Sequence, residues 1–294
     1  MDEGTLRIAT YNIHHGADGR GRLDLARTAD AIASLEADVV GLQEVDVAFG
    51  PRSGGEDQAH RLAQMLRMHV RFAPAIDRPA PHEEGPRRQY GCALLSRSPL
   101  GSAQAHLLPG HPGLLPPREP RVLLSTRIAV PPADGPGSAA DGGEQGGDEL
   151  AVLVTHLDHE SHAHRTAQVL RILEHAEEIT GPAVLVGDLN ADPGSSELAP
   201  LAAQGWQEAA SILSRHVPRT PLLSKLQAAV PFVDAARAAT NPAGIPLRRL
   251  DSVWVRGDLG IRDLTVPRTL ASDHRPVVAT IARSDGAEPP APLR

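Results

Sequence analysis

Six polar clusters stand beside short aliphatic runs in this chain: Asn12, Gln43-Glu44, His156, Asp188 with Asn190, Asp251, and Asp273-His274. Taken singly, a carboxylate at a strand end is a turn former and a lone histidine is a structural residue. Taken together, they make a set with a chemistry. Glu44, Asp188, Asn190 and Asp273 offer hard oxygen ligands, which match Mg²⁺ or Mn²⁺. The single cysteine, Cys92, excludes an intrachain disulfide and a multi-cysteine metal site, so oxygen or histidine nitrogen must hold any metal. Attack of water on an anionic phosphoryl group needs its charge neutralised, the water activated and oriented, and the charge developing on the equatorial oxygens stabilised. A cation, a carboxylate and paired histidines supply those needs. The residue types therefore point to hydrolysis of a phosphate ester.

Residues so far apart in sequence can cooperate only if strand ends deliver them to one rim, as the strands of an open sheet do. The hydrophobic pattern supplies such strands, alternating with helical spacing in an α/β order. Leu6 to Tyr11 reads as a first strand; Leu25, Ala29, Ile32 and Leu35 fall on one helix face behind Asp24 as cap. Asp38 to Leu42 is the next strand, and Ala59, Leu62, Ala63 and Leu66 mark a second helix. Cys92 to Leu95, Val122 to Ile128, Leu150 to Thr155, Ala183 to Val186, Ser252 to Val255 and Val277 to Ile281 are further strands. Thr166 to Ile179 is helical, and Ser195 or Ser196 is placed to cap another helix. Residues 131–149, rich in Gly, Pro and Asp, have nothing to bury and read as a mobile surface loop between two strands that pair as a hairpin. The expected organisation is one domain over 1–283 and a loose tail over 284–294.

Composition sets limits. The 294 residues are enough for a large core, and 41% hydrophobic with 22% charged residues is ordinary for a globular chain. The sequence shows neither an apolar run long enough to span a membrane nor a signal-peptide pattern at Met1-Asp2-Glu3-Gly4, so a cytoplasmic location is expected. A net charge of -7 disfavours an extended duplex-binding surface, and only 3 Phe, 2 Trp and 2 Tyr leave few platforms for stacking bases. Arg52, Arg121 and Arg165 are candidate contacts for an anionic substrate. The run His156, His159, His162, His164 invites a zinc reading, but three of these fall where a helix begins, and a solvated first turn is the simpler account. Cys92, between Gly91 and an aliphatic run, reads as a small buried hydrophobe.

The motifs carrying these clusters resemble, in order along the chain, the endonuclease/exonuclease/phosphatase superfamily of metal-dependent phosphohydrolases. They are Thr10-Tyr11-Asn12-Ile13-His14-His15-Gly16, Leu42-Gln43-Glu44-Val45, Thr155-His156-Leu157, Gly187-Asp188-Leu189-Asn190, Leu250-Asp251-Ser252-Val253 and Ser272-Asp273-His274. The resemblance implies a four-layer α/β/β/α sandwich of two packed mixed sheets flanked by helices. It implies that Glu44 is the main ligand of Mg²⁺ or Mn²⁺, that Asn12 sits beside metal and phosphate, and that Asp273 joins the metal site directly or through water. Asp188 would align and deprotonate water, with Asn190 holding it or a phosphate oxygen. Asp251 would fix the tautomer of His274, which donates to the phosphoryl oxygen, and His156 would be a second donor.

Glu44 is followed by Val45-Asp46, where the DNA-repair branch of that superfamily typically has Thr-Lys. Thr155-His156-Leu157-Asp158-His159 and Tyr90-Gly91-Cys92-Ala93-Leu94-Leu95-Ser96 are more similar to the branch of sphingomyelinase-like and uncharacterised bacterial hydrolases. The expectation is a phosphodiesterase or phosphatase acting on a small or lipid-linked phosphate ester. A nuclease acting on DNA or RNA is the alternative, and a silent binding module on the same scaffold is the third reading.

Overall fold

The computed structural model describes residues 4–81, 84–130, 149–215 and 238–283. Two six-stranded mixed sheets stack face to face. The first runs β11-β12-β1-β2-β4-β3 and is built from β1 (Thr5–Asn12), β2 (Val39–Val47), β3 (His69–Arg78), β4 (Arg88–Ser96), β11 (Leu259–Thr265) and β12 (Val277–Arg283). The second runs β5-β6-β7-β8-β10-β9, from β5 (Gln104–Leu108), β6 (Arg121–Ala129), β7 (Glu149–His156), β8 (Ala183–Asp188), β9 (Gln207–Glu208) and β10 (Asp251–Arg256). The helices are α1 (Leu25–Ala33), α2 (Gln58–Leu66), α3 (His162–Glu177), α4 (Ala199–Ala203) and α5 (Ala209–Arg215).

Strand alternation explains the layers. Ile8 and Val39 from the first sheet meet Val152, Val154, Val184 and Val186 from the second in one buried cluster. Their neighbours Ala9, Tyr11, Val40 and Leu42 point the other way, under Leu25, Ile32 and Leu62 of α1 and α2. On the far side, Leu153, Leu185 and Trp254 lie beneath Val169, Ile172 and Leu173 of α3. Each fully buried aliphatic side chain contributes roughly 1.5–3 kcal/mol relative to exposure. The sheets approach closely at Gly41, where an added Cβ would sit 2.5 Å from Val186 Cγ2.

Asp24 caps α1 as expected, accepting from the Arg27 amide. The helix expected behind Ser195 or Ser196 instead starts at Ala199 with no side-chain cap, and Ser195 Oγ is buried without a hydrogen-bond partner among the described residues. Strands β6 and β7 pair antiparallel as expected. The intervening loop, apart from Glu149 at the start of β7, and the tail from Ser284 lie outside the described residues. Among the described residues, no helix is long and apolar enough to cross a membrane.

Candidate active site

Pairing direction puts the polar clusters on one edge. β1 and β2 run parallel, so Asn12 and Gln43 end up side by side; β12 is antiparallel to β1, so the loop before it, carrying Asp273 and His274, reaches the same edge. In the second sheet β7 and β8 are parallel and β10 is antiparallel to β8, which sets His156, Asp188 and Asp251 in one cross-strand row. Ser272 ties the loop before β12 to the end of β1, its Oγ donating to Asn12 O at 2.8 Å.

Glu44 gets there by a backbone irregularity. The β2–β4 register shifts between Leu42 and Val45, and Glu44 adopts φ 58° at that bulge. A bulge re-aims a side chain that regular alternation would send elsewhere, and a non-glycine residue in the left-handed region marks a conformation that its surroundings must enforce. Asn190 is similarly held at φ 51°, its amide N–H donating to Asp188 Oδ1 at 3.0 Å.

The centre is buried and densely bonded. Asn12 Nδ2 donates to Glu44 Oε1 at 2.9 Å and to Asp188 Oδ2 at 3.0 Å, so one amide joins the two carboxylates. Asp188 Oδ2 also lies 3.5 Å from His156 Nε2 and 3.7 Å from His274 Nε2. His274 Nδ1 is 2.7 Å from Asp251 Oδ2, and Thr240 Oγ1 accepts from the amides of Leu250 and Asp251. Asn190 donates to Leu157 O, and its amide lies 3.0 Å from His156 Nε2.

These environments push the titratable groups apart. For His274 burial opposes the charge, but the carboxylates of Asp251 and Asp188 outweigh it and raise the imidazole to about 10. His156 goes the other way: burial, then the Arg121 guanidinium, holds it well below 6.5 and keeps it neutral. Arg121 can only donate, so it claims the lone pair of His156 Nδ1 at 3.0 Å, while Nε2 faces Asp188 and the side-chain amide of Asn190. Asp188 is raised to about 7 by burial and then by Asp251, the range suited to a general base at neutral pH. Burial raises Glu44, and the Asn12 hydrogen bond only partly offsets it.

A divalent cation would reverse that penalty, and the donors around Glu44 suit one. A ligand atom from each of His14, His15 and Glu44 lies within 4.8 Å of the other two. Asp273 stands at the rim, Oδ1 3.9 Å from His14 Nδ1. A second, fully buried group with the same spacing is Asp188, Asp251 and His274.

The arginines fall in different places. Arg52 is at the rim but forked onto buried Asp46 at 2.8 and 2.7 Å, against the rings of Phe49 and Tyr90. Arg121 is buried behind His156, bonded to Glu119 and 3.1 Å from His159 Nδ1. Arg165 does not reach the rim: it is 4% exposed, with its donors taken by Glu197 Oε1 and Asp158 O. A buried guanidinium needs such saturation, and the sequence places its partner 32 residues away. The histidine run is scattered rather than convergent. His162 pairs with Glu197 Oε1 at 2.8 Å, and His164 is buried where a solvated position was expected, accepting from the His111 amide. Cys92 is buried in the seam between the sheets, as expected.

Sequence reasoning gave no part to His14, His15, Glu119, Thr240 or Ser272. His14, His15 and Ser272 lie inside motifs whose weight falls on Asn12, Asp273 and His274; Glu119 and Thr240 act through contacts between elements, for which the local sequence carries no signal.

Two stacked sheets between helices, with an amide, carboxylates and histidines on their common edge, define the class of sandwich-fold phosphoric ester hydrolases. The chain belongs to the endonuclease/exonuclease/phosphatase family, whose model matches residues 9–274. It is 33% identical over 116 residues to protein cwh43 of Schizosaccharomyces pombe, a stretch that is 40% of this chain and 11% of that protein. Among solved structures it is similar to an endonuclease/exonuclease/phosphatase from Beutenbergia cavernae, with 24% identity and a TM-score of 0.68 over 95% of this chain and 72% of that one. It is also similar to the mannosyl-6-phosphatase of Bacteroides thetaiotaomicron, with 16% identity and a TM-score of 0.64 over 94% of this chain and 99% of that one. At these identities the likeness to solved structures shows the fold.

Proposed function

We propose that the protein is a divalent-metal-dependent phosphodiesterase or phosphatase acting on a small or lipid-linked phosphate ester. The observation that carries this reading is the Asn12 amide spanning Glu44 and Asp188, which sets a cation ligand and a proton acceptor side by side from two different sheets. Glu44 and Asn12, with Asp273 nearby, would hold the cation, Mg²⁺ or Mn²⁺. When bound it supplies neutralising charge and Lewis acidity to a phosphoryl oxygen. Asp188 accepts the proton of the attacking water as its oxygen bonds to phosphorus and the ester oxygen leaves. Asn190 orients that water, while protonated His274 and the Nε2–H of His156 donate to the equatorial oxygens. Asp251 fixes the ring of His274.

For the substrate, an open groove of about 890 Å³ supports the lipid-linked reading. Its walls are largely apolar, from Leu107, Pro109, Leu114 and Pro117, and it includes Arg121, the residue that touches His156. The net charge of -7 argues against an extended nucleic-acid surface.

The test is a panel of phosphomonoesters, phosphodiesters, phospholipids and nucleic acids, assayed with Mg²⁺, Mn²⁺ or chelator, with Asp188→Asn as control. Metal-dependent turnover of small or lipid esters, lost in Asp188→Asn, is expected. Salt-sensitive cleavage confined to DNA or RNA would replace this reading with a nuclease, and no turnover in any arm would leave a binding module.

A further inference from the structure

Glu44 is not the only unusual residue at its corner of the edge. His14 and His15 follow β1 with φ 46° and 45°, so all three members of the cluster are non-glycine residues in the left-handed region. That conformation is strained for a residue with a Cβ and persists only when the surroundings impose it. Here they do. The His14 amide donates to Asn12 Oδ1 at 3.0 Å, Ile13 N donates to Gln43 O at 3.1 Å, and Gln58 Nε2 donates to His15 O at 2.7 Å. The result is that both imidazoles crowd together, ring centroids 4.5 Å apart, with the Nδ1 atom of each buried and without a hydrogen-bond partner among the described residues. Orphaned ring nitrogens beside a carboxylate, presented by an enforced backbone, have the form of a ligand set.

We infer that His14 and His15 join Glu44 as direct ligands of the cation, and that their nitrogens make this a site for a first-row transition cation such as Mn²⁺ in preference to Mg²⁺. The inference rests on the reading that Glu44 holds the cation. Imidazole suits transition cations, whereas Mg²⁺ keeps to oxygen ligands and its own waters. Asp273 Oδ1 lies 3.9 Å from His14 Nδ1, on the side of that ring where the cation would bind.

Pulsed EPR on the Mn²⁺-loaded full chain tests this without relying on activity. Wild-type protein should show ¹⁴N coupling to the bound Mn²⁺, converted to ¹⁵N coupling when only histidine is labelled with ¹⁵N. The coupling should persist in His274→Ala and vanish in the His14→Gly/His15→Gly double variant, glycine being chosen because it adopts the left-handed backbone freely. Calorimetric titration should show each single glycine variant weakening Mn²⁺ by at least about tenfold, the least that loss of even an outer partner brings, with Mg²⁺ little affected. Mn²⁺ bound without histidine coupling, or coupling that survives the double variant, would overturn the inference while leaving Glu44 as ligand. Undiminished Mn²⁺ binding in Glu44→Gln would overturn both.

Discussion

His274 Nδ1 lies 2.7 Å from Asp251 Oδ2, which commits that nitrogen to the carboxylate and turns Nε2 toward Asp188, 3.7 Å away. One contact thus sets both the orientation of the ring and its charge.

The pH profile should report it. The proposed mechanism requires Asp188 ionised and His274 protonated, so the rate should be bell-shaped between about 7 and about 10, as apparent values of the coupled pair. Bound cation draws the acid limb lower by favouring carboxylate. Because the folded value of His274 stands above its ordinary 6.5, its stabilising contribution is complete below that pH and fades as pH climbs through 10. Asp251→Asn removes the main support of the imidazolium, so the alkaline limb should move down by about 1–3 units. An alkaline limb that stays put would show that Asp251 does not control this proton.

Asn12→Ala removes the donor shared by half-buried Glu44 and buried Asp188 and leaves the two carboxylates without it. The expected cost is about 1–3 kcal/mol of stability from the unsatisfied acceptors. Because Asn12 is also proposed to help hold the cation, the variant should gain less than wild type from Mn²⁺ in thermal scans. Equal gains would remove Asn12 from the cation site.

Gly41→Ala probes the stacking of the sheets. The added methyl would meet Val186 Cγ2 at 2.5 Å and both Val154 methyls at 3.1 Å. Overpacking of this kind costs about 1–3 kcal/mol. Val186→Ala in the same chain should recover part of the urea midpoint, and a double variant no more stable than Gly41→Ala alone would count against the clash.

Arg165→Ala should act on folding and not on substrate. It strips buried Glu197 of its guanidinium, a loss of about 3 kcal/mol for a broken buried pair. Steady-state kinetics below the unfolding temperature should show an unchanged KM; a raised KM with unchanged stability would return Arg165 to the list of substrate contacts.

Much of the edge was legible in the sequence because strand ends carry it. Asn12, His156, Asp188 and Asp251 each sit at a strand terminus that an aliphatic run announces. The fold itself came from motif order, since periodicity gives strands but not which sheet takes them. β3 and β5 escaped notice because they are only partly buried and show no clean alternation. The aim of Glu44 escaped too: Leu42-Gln43-Glu44-Val45 contains no glycine to announce the bulge, and only the register with β4 reveals it. Arg165 was misplaced for a related reason, as a guanidinium looks the same in sequence whether it meets solvent or a distant buried glutamate.

β12, the strand that follows His274, lies between β11 and β1, one strand in from the edge of the first sheet. The ribosome therefore makes the residues that close the catalytic edge late, after Asn12, Glu44 and Asp188 have long been synthesised. A nascent chain halted before Val277, or one clipped there by a protease, lacks one partner of β1 and has no anchor for the His274 loop. Such fragments should be hydrolytically silent even where their remaining strands are ordered, which makes the proposed activity a sensitive reporter that β12 has joined the sheet.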